Sequence, residues 1–270
     1  MGYTRSLTPF NQGRLMSADA DVKKSQDKSG FIDTLRVIVQ ALLIALFIRV
    51  FLYQPFNIPS GSMIPTLLVG DYLFVSKFSY GYSKHSFPWS PNIFDGRIWS
   101  GEPQRGDVVV FKLPRDNETD YIKRLVGLPG DRIQMIGGRL HINGQAVERR
   151  RIADFEIPLP SGEMERVVQY EEKLPNGVTY ATLDLVDGGF GDDTPVFVVP
   201  EGHYFMLGDN RDNSTDSRFQ RSNGVGYVPH ENLIGRAEIL FFSIDETASL
   251  FAPWRWPFEI RWTRLLNSID

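Results

Sequence analysis

The feature that most constrains this chain is an apolar segment near its N-terminus, residues 31–56. Within it, residues 34–53 form a stretch of 20, about the length that an α-helix needs to cross a hydrocarbon core of roughly 30 Å. Arg36 and Arg49 lie near the two ends of this stretch, where long cationic side chains can reach the polar membrane surface. Because every face of residues 37–48 is apolar, the sequence favours a transmembrane helix over a buried core helix.

The residues around this segment predict how the chain is oriented. Residues 1–30 are polar and mixed in charge, which is typical of a flexible tail. The basic residues that precede or begin the span favour a cytoplasmic N-terminus, and they are Arg5, Arg14, Lys23, Lys24, Lys28 and Arg36. A cleaved secretory signal is disfavoured because no small-residue cleavage site follows the apolar stretch. No later segment is apolar enough to cross back, so the remainder is predicted to lie on the far side of the membrane.

Beyond residue 54 the chain reads as a β domain. Short branched and aromatic runs alternate with Gly, Pro and Asn signals, and the clearest runs are 72–75, 107–111, 121–126, 196–199, 204–207 and 234–242. Asn143-Gly144 is a strong two-residue hairpin turn. Residues 137–195 have fewer apolar runs and more charge, which indicates an insertion. The sequence therefore predicts a mostly β domain with an insertion, preceded by one N-terminal transmembrane helix.

The predicted boundaries follow from these changes in composition. They are a tail at 1–30, an anchor at 31–54, a β core at 55–136 and 196–247, an insertion at 137–195, and a C-terminal segment at 248–270. The last segment mixes Trp with Arg, a composition that suits a lipid headgroup zone. Simple packing of this segment on the domain is the alternative.

Composition excludes several kinds of chemistry. The chain has no cysteine, so a thiolate nucleophile, disulfides and Cys-ligated zinc are excluded. Its four histidines are scattered, without the spacing of a metal site, and no phosphate-binding glycine loop occurs. A net charge of −4 gives no general electrostatic case for binding nucleic acid. We therefore expect no metal, no cofactor and no nucleic acid partner, and chemistry that comes from hydroxyl and amine side chains.

A first candidate motif, IPSGSMIPTL, directly follows the predicted anchor at residues 58–67. Ser60 and Ser62 flank a glycine, and Pro59 and Pro65 stiffen both sides of the turn. A serine nucleophile needs exposure, a neighbouring base and donors for the oxyanion. A rigid turn supplies the exposure, but an SGS sequence by itself is also a common structural turn.

Two further polar motifs follow. In DYIKRLVGLPGD, residues 120–131, strand alternation places Tyr121 and Lys123 on one face and Ile122 and Arg124 on the other. A lone strand lysine is usually a solvated surface residue. GDNRDNSTDSR, residues 208–218, is a dense polar loop after an apolar strand. Such loops bind calcium or cap turns, and the arginines within this one argue against a cation site.

Taken in order, PSGSMIPTL, GDVVVF at 106–111, YIKRLVGLPGD and GDNRDNSTDSR closely resemble the type I signal peptidases. The resemblance covers the anchor and most of residues 56–242, and it is loose in the insertion and the C-terminal tail. It implies a mostly β fold, with an antiparallel β catalytic domain and a β-rich cap that corresponds to the insertion. It implies a membrane-bound serine endopeptidase that removes signal peptides from exported precursor proteins and cleaves after small residues, without a cofactor. It also implies the bacterial inner membrane, with the bilayer and the secretion translocon as further partners. Some members have two anchors, whereas this chain has one clear anchor.

The resemblance also implies roles for individual residues. Ser62 would be the nucleophile and Lys123 the general base, with an oxyanion hole formed by the Ser62 N–H and the Ser60 hydroxyl. Ser214 would orient the lysine, and the third motif would be held in shape by Asp209, Asp216 and Arg218. The pockets for substrate side chains would be lined by Phe56, Ile58, Pro59, Met63, Leu67, Asp120, Tyr121 and Ile122.

A lysine can act as a base near neutral pH only if burial lowers its pKa from about 10.4 to roughly 7–8. Met63, Tyr121 and Ile122 are the apolar neighbours expected to cause that shift. Three alternatives remain at this point. One is a membrane-tethered, non-catalytic β domain, and another is a self-cleaving repressor, which the anchor and the lack of a DNA-binding helix pair disfavour. The third is a Ser-His-Asp hydrolase that uses His203, which the lack of a GxSxG motif disfavours.

Overall fold

A computed structural model of the chain describes residues 32–92, 94–158, 164–220, 224–245, 248 and 252–269. The predicted tail at 1–30 and residue 31 lie outside the described residues. The chain divides into two compact units, Met1–Ile48 and Arg49–Asp270.

The described part of the first unit is a single α-helix, α1, at residues 32–47. The apolar segment Ile32–Leu52, which continues α1 through a π-helical turn at Ile48–Leu52, is long and apolar enough to cross a membrane. Its most apolar window buries no residue within the protein. The alternative of a buried core helix is therefore disfavoured, because a core helix covers at least one of its faces.

The second unit is built from short strands separated by turns. Its strands within the described residues are β1 (Tyr53–Asn57), β2 (Asp71–Ser76), β3 (Val108–Lys112), β4 (Asp120–Gly127), β5 (Arg132–Ile136), β6 (Arg139–Ile142), β7 (Gln145–Ala146), β8 (Glu148–Arg151), β9 (Phe155–Pro158), β10 (Met164–Lys173), β11 (Thr179–Asp184), β12 (Phe197–Val198), β13 (His203–Leu207), β14 (Val228–Pro229) and β15 (Leu233–Ser243). Every pairing between these strands is antiparallel. The predicted mostly β, antiparallel fold is confirmed.

Seven strands form the main sheet, in the order β1-β2-β15-β3-β4-β13-β14. Successive side chains of a strand point to opposite faces, so β3 contributes to two cores. Val108 and Val110 pack into one apolar cluster, and Val109 and Phe111 pack into the opposite one. Both faces of the sheet are covered at this point, which explains why β3 is an unbroken apolar run rather than an alternating one.

The described residues also form two smaller sheets. One has the order β12-β5-β6-β7, and the other has the order β11-β10-β8 with β9 also paired to β10. The predicted turn at Asn143-Gly144 joins β6 to β7, with φ of +55° and +80°. The predicted start of the insertion at residue 137 falls between β5 and β6, which pair with each other. The core and the insertion therefore share a sheet at that boundary.

The C-terminal segment combines features of both sequence interpretations. Its last elements are α2 (Trp256–Glu259) and the 3-10 turn Trp262–Arg264. Arg264 packs on the domain, where its Nη2 lies 2.6 Å from Oδ2 of the buried Asp71. Phe258 and Trp262, in contrast, are largely exposed. In this segment Arg264 therefore packs on the domain, while the rings of Phe258 and Trp262 stay exposed. Contact of the rings with lipid stays a prediction.

Candidate active site

The first motif forms a short turn that presents Ser62. Ile58 is held against the start of β2 by two backbone hydrogen bonds, from the Ile58 N–H to the Asp71 carbonyl oxygen and from the Gly70 N–H to the Ile58 carbonyl oxygen. A 3-10 turn follows at Gly61–Met63. This geometry fixes the backbone of Ser62 and leaves its side chain on the wall of a surface cavity.

Lys123 meets this serine from the middle of β4. The lysine pairs with Val109 of β3 and is only 3% exposed. Its Nζ lies 2.6 Å from Ser62 Oγ and 2.9 Å from the carbonyl oxygen of Ile122, to which it donates. The Tyr121 ring centroid lies 5.4 Å from the same Nζ. Two residues that are 61 positions apart in sequence therefore share a hydrogen bond in a buried position.

Burial lowers the pKa of Lys123 from 10.5 to about 8. The charged amine loses its hydration in this position, which disfavours the protonated form. The carboxylates of Asp216 and Asp209 oppose that effect, but they do not cancel it. A substantial fraction of the amine is therefore neutral near pH 8, and a neutral amine that contacts a hydroxyl can accept its proton.

The third motif packs directly against the Ser62 turn. The Asn210 N–H donates to the carbonyl oxygen of Ser62 at 3.2 Å, and the Asn210 side-chain amide donates to that of Gly61 at 3.1 Å. A Cβ on Gly208 would lie 2.2 Å from Ser214 Oγ and 2.6 Å from the Ser62 carbonyl oxygen. Only glycine therefore allows the two segments to approach this closely.

Two buried ion pairs that hold the third motif in shape involve its aspartates, and a third joins Arg211 to Glu172 at 2.6 Å. Arg218 pairs with Asp216 at 2.9 Å, and the Asp216 carboxylate also accepts the Gly208 N–H at 3.1 Å. Burial alone would raise the pKa of Asp216, but the Arg218 guanidinium lowers it below its ordinary value. The second pair joins Asp209 to Arg124, with Nε to Oδ1 at 3.0 Å and Nη2 to Oδ2 at 2.9 Å.

Ser214 lies in the third motif, close to the Ser62 turn. Its hydroxyl is buried and forms no hydrogen bond to Lys123 within the described part of the chain. It acts instead on the nearby Asp216 carboxylate, whose pKa it helps to lower. The predicted role of Ser214 in orienting Lys123 therefore stays a prediction. The Ser60 hydroxyl lies at the surface, 3.5 Å from Ser62 Oγ.

Arg124 is a structural residue that sequence reasoning missed. The alternation of side chains along a strand predicted that Arg124 lies on the face opposite Lys123, and no role was predicted for it. The structure buries it completely in a bidentate pair with Asp209, and Thr66 also donates to that carboxylate at 2.6 Å. The available signal was a charged residue directly before the apolar end of β4, because a charge that is buried there needs an oppositely charged partner.

We expect Arg124→Met to lower the free energy of unfolding by about 3–5 kcal/mol, because it leaves the Asp209 carboxylate buried without its partner. Urea unfolding of the two proteins measures this difference. The control is Arg150→Met, which removes the exposed pair with Glu171 and should leave the unfolding midpoint nearly unchanged. Equal losses in both variants would contradict the assignment.

A cavity of about 520 Å³ opens beside Ser62 and Lys123. The other predicted residues that line it are Phe56, Ile58, Pro59, Ser60, Asp120, Tyr121 and Ile122. Met63 and Leu67 do not line it, because both are fully buried in the apolar cluster behind the turn. The lining residues that sequence reasoning missed are Asn57, Gly61, Val110, Asn213 and Thr215. Of these, Val110 pairs with Ile122 across β3 and β4, so its place depends on strand register.

Other candidate chemistry is located away from this cavity. His203 does not line it, and His203 Nδ1 lies 2.9 Å from the carbonyl oxygen of Glu201. Three carboxylates, those of Asp184, Asp192 and Asp212, have oxygens within 4.8 Å of one another. Arg149 forms an ion pair with Asp184. The backbone N–H groups of residues 185 and 186 donate to Asp212, and that of residue 189 donates to Asp192. These carboxylates serve as caps for the loop that contains them.

Comparison with known proteins gives one consistent family. A family model described as "Signal peptidase, peptidase S26" matches residues 31–242. Signal peptidase I of Rickettsia canadensis (strain McKiel) is 46% identical over 213 residues, which cover 76% of this chain and 77% of that protein. Signal peptidase I of Rickettsia conorii (strain ATCC VR-613 / Malish 7) is 46% identical over 215 residues, with the same coverage. The crystal structure of a signal peptidase I from Enterococcus faecalis V583 is 29% identical and covers 50% of this chain and 96% of that chain, but its TM-score of 0.29 is too low to support an argument.

Proposed function

The chain belongs to the signal peptidase family, peptidase S26, and we propose from this premise that it removes N-terminal signal peptides from precursor proteins with Ser62 as nucleophile and Lys123 as general base. The observation that carries the proposal is the buried contact of 2.6 Å between Lys123 Nζ and Ser62 Oγ. The lowered pKa of the lysine supports it, because a base must be deprotonated to act.

The proposed reaction has two stages. In the first, neutral Lys123 accepts the hydroxyl proton of Ser62 while Oγ attacks the carbonyl carbon of the scissile bond. The protonated lysine then gives that proton to the departing amine, which leaves the signal peptide as an ester on Ser62. In the second stage, Lys123 deprotonates a water molecule that attacks the ester. The lysine then returns this proton to Ser62 Oγ as the ester bond to Oγ breaks, which releases the signal peptide with a new C-terminal carboxyl group and restores the Ser62 hydroxyl. The proposed reaction uses no metal or cofactor.

The tetrahedral intermediate requires donors for its negatively charged oxygen. We propose the backbone N–H of Ser62 and the hydroxyl of Ser60 for this role, as the family resemblance implies. The exposed Ser60 hydroxyl on the cavity wall supports its part in this assignment. Removal of one such donor typically lowers kcat by 10²–10³-fold.

The cavity beside the pair suits a short run of small, uncharged substrate residues. Its walls near Ser62 include the apolar side chains of Ile58, Tyr121 and Ile122. Met63 and Leu67 lie behind the Ser62 turn in the same apolar cluster as Ile58, where they limit how far the wall can yield. Because a close-packed wall resists expansion, a bulky residue at the cut should be rejected.

Membrane attachment is part of the proposal. The helical segment Ile32–Leu52 leads without a linker into β1, and the cavity wall begins at Phe56. We propose a single span in the bacterial inner membrane, with the N-terminus in the cytoplasm and the peptidase domain outside it. A precursor whose own apolar segment lies in the same bilayer would then present its cleavage point near Ser62. The secretion translocon stays a predicted partner.

The function is tested by cleavage of a secretory precursor with the purified full chain in detergent. We expect one cut after a small residue, and replacement of that residue by Trp should lower kcat/KM by about 100-fold, because the side chain cannot enter the pocket. The matched control places the same Trp six residues before the cut. Undiminished cleavage at the Trp site would contradict the proposed specificity, and a lack of any cleavage would favour the non-catalytic alternative.

A further inference from the structure

A second cavity, of about 890 Å³, adjoins the first on the other side of the third motif. The two cavities share Asn213 and Thr215, which lie at the surface of the loop, while Ser214 between them is buried. A chain bound beside Ser62 can therefore continue over Asn213 and Thr215 into the second cavity. The two cavities therefore meet at Asn213 and Thr215, and together they are called the groove.

The outer wall of the second cavity is an aromatic pair. The rings of Phe190 and Phe219 are nearly parallel, with an interplanar angle of 7° and centroids 5.7 Å apart. Phe190 is 91% exposed, so most of its surface is available to a ligand. An apolar side chain laid against these rings would remove apolar surface of both partners from water, which is favourable.

This aromatic wall is held in position from both sides of Phe190. A Cβ on Gly189 would lie 2.5 Å from Asp212 Oδ1, and a Cβ on Gly191 would lie 2.5 Å from Arg218 Nη1. The two glycines therefore allow the loop to pack directly on the third motif. Asp212 strengthens this contact, because its carboxylate accepts the backbone N–H groups of residues 185 and 186. A wall that is fixed before binding costs less ordering entropy when a ligand arrives.

The direction of a bound substrate follows from the order of the chain. The first cavity begins at Phe56 and Asn57, only a few residues after the apolar segment that ends at Leu52. If a precursor enters from the same membrane surface, the residues before its cleavage point occupy this first cavity. The residues after the cleavage point must then leave past Ser62 on the side of Asn213 and Thr215.

We infer that the second cavity binds the segment of the precursor that follows the scissile bond, and that the Phe190–Phe219 pair selects an apolar side chain a few residues beyond the cut. This inference rests on the proposed function, and it adds a specificity determinant on the mature side of the substrate. It assigns Phe190 and Phe219 to substrate binding and gives them no part in bond cleavage.

The test uses peptides that share one signal sequence and one cleavage site. One peptide ends two residues after the cut, a second extends six residues with Leu at the third to fifth positions, and a third has Ser at those positions. We expect the parent protein to cleave the Leu peptide with a kcat/KM about tenfold above the Ser peptide, mainly through a lower KM. In Phe190→Ala this preference should fall below twofold.

Phe258→Ala is the matched control, because Phe258 is 90% exposed and does not line the groove. It should retain the parent preference for the Leu peptide. Equal cleavage of the Leu and Ser peptides by the parent would overturn the inference and leave the proposed function standing. An equal loss on all three peptides in Phe190→Ala would also overturn it, because the residue would then act on the whole site. Failure of the parent to cleave any peptide would overturn the proposed function, and the inference with it.

Discussion

Replacement of Ser62 by alanine should lower kcat/KM for a precursor by about four to six orders of magnitude, as removal of the nucleophile does in other serine peptidases. The variant lacks the oxygen that is proposed to form the ester, so only the proposed oxyanion donors and substrate binding would remain to assist attack by water. The measurement is cleavage of one precursor by parent and variant in detergent, with product followed for many hours.

The fold of Ser62→Ala should be intact, because the substitution removes a single hydroxyl that faces a cavity. Circular dichroism and the midpoint of thermal unfolding check this point. Ser100→Ala supplies a matched control, since Ser100 is an exposed serine outside both cavities. A variant at position 62 that keeps a tenth or more of the parent activity would show that another group attacks the peptide bond.

Lys123 should set the pH dependence of the reaction. Only the neutral amine can accept the Ser62 proton, and its pKa is about 8. We therefore expect kcat/KM to rise about tenfold per pH unit below that value and to level off above it. Lys123→Met should be inactive across the whole range. The measurement is a pH profile from pH 5.5 to 10 on an uncharged peptide.

Lys77 provides a control of the same chemical type. It is also buried, and burial together with the nearby Arg49 lowers its pKa from 10.5 to about 8. It does not line the cavity that contains Ser62. The pH profile of Lys77→Met should therefore keep its midpoint near 8. Two results together would contradict Lys123 as the general base: a shifted midpoint of the pH profile in Lys77→Met, and an unshifted midpoint in Lys123→Arg.

The same lowered pKa predicts an effect on stability. The folded protein binds fewer protons at Lys123 than the unfolded chain between about pH 8 and 10.5, so this residue makes stability rise with pH across that window. Below about pH 8, burial of the charged amine lowers the free energy of unfolding by about 3 kcal/mol, because one pKa unit corresponds to about 1.36 kcal/mol. Lys123→Met should consequently be more stable than the parent at pH 7, with a difference that shrinks toward pH 10.5. Urea unfolding at several pH values measures this difference.

Some of this protein could be read directly from local sequence. The apolar segment and the Asn143-Gly144 turn depend on neighbouring residues alone, and both have the predicted form. The β-rich domain followed from short runs bounded by turn residues, and its antiparallel arrangement followed from the family resemblance. Ser62 and Lys123 became candidates through the resemblance of their motifs to a known family, because an SGS turn or a strand lysine alone is not specific. The boundaries of the insertion stay predictions, because β5 and β6 pair across one of them.

Other features were decided only by tertiary structure. The contact between Ser62 and Lys123 needs β4 to pass beside a turn 61 positions away, and the lowered pKa needs the burial that this packing creates. The family resemblance implied that Met63 lines a substrate pocket, yet its side chain is fully buried in an apolar cluster to which distant strands contribute. Arg124 forms its ion pair with Asp209, which lies in a loop that is distant in sequence. Local sequence determines backbone preference over a few residues, whereas burial, ion pairs and cavities depend on which distant segments the strand register brings together.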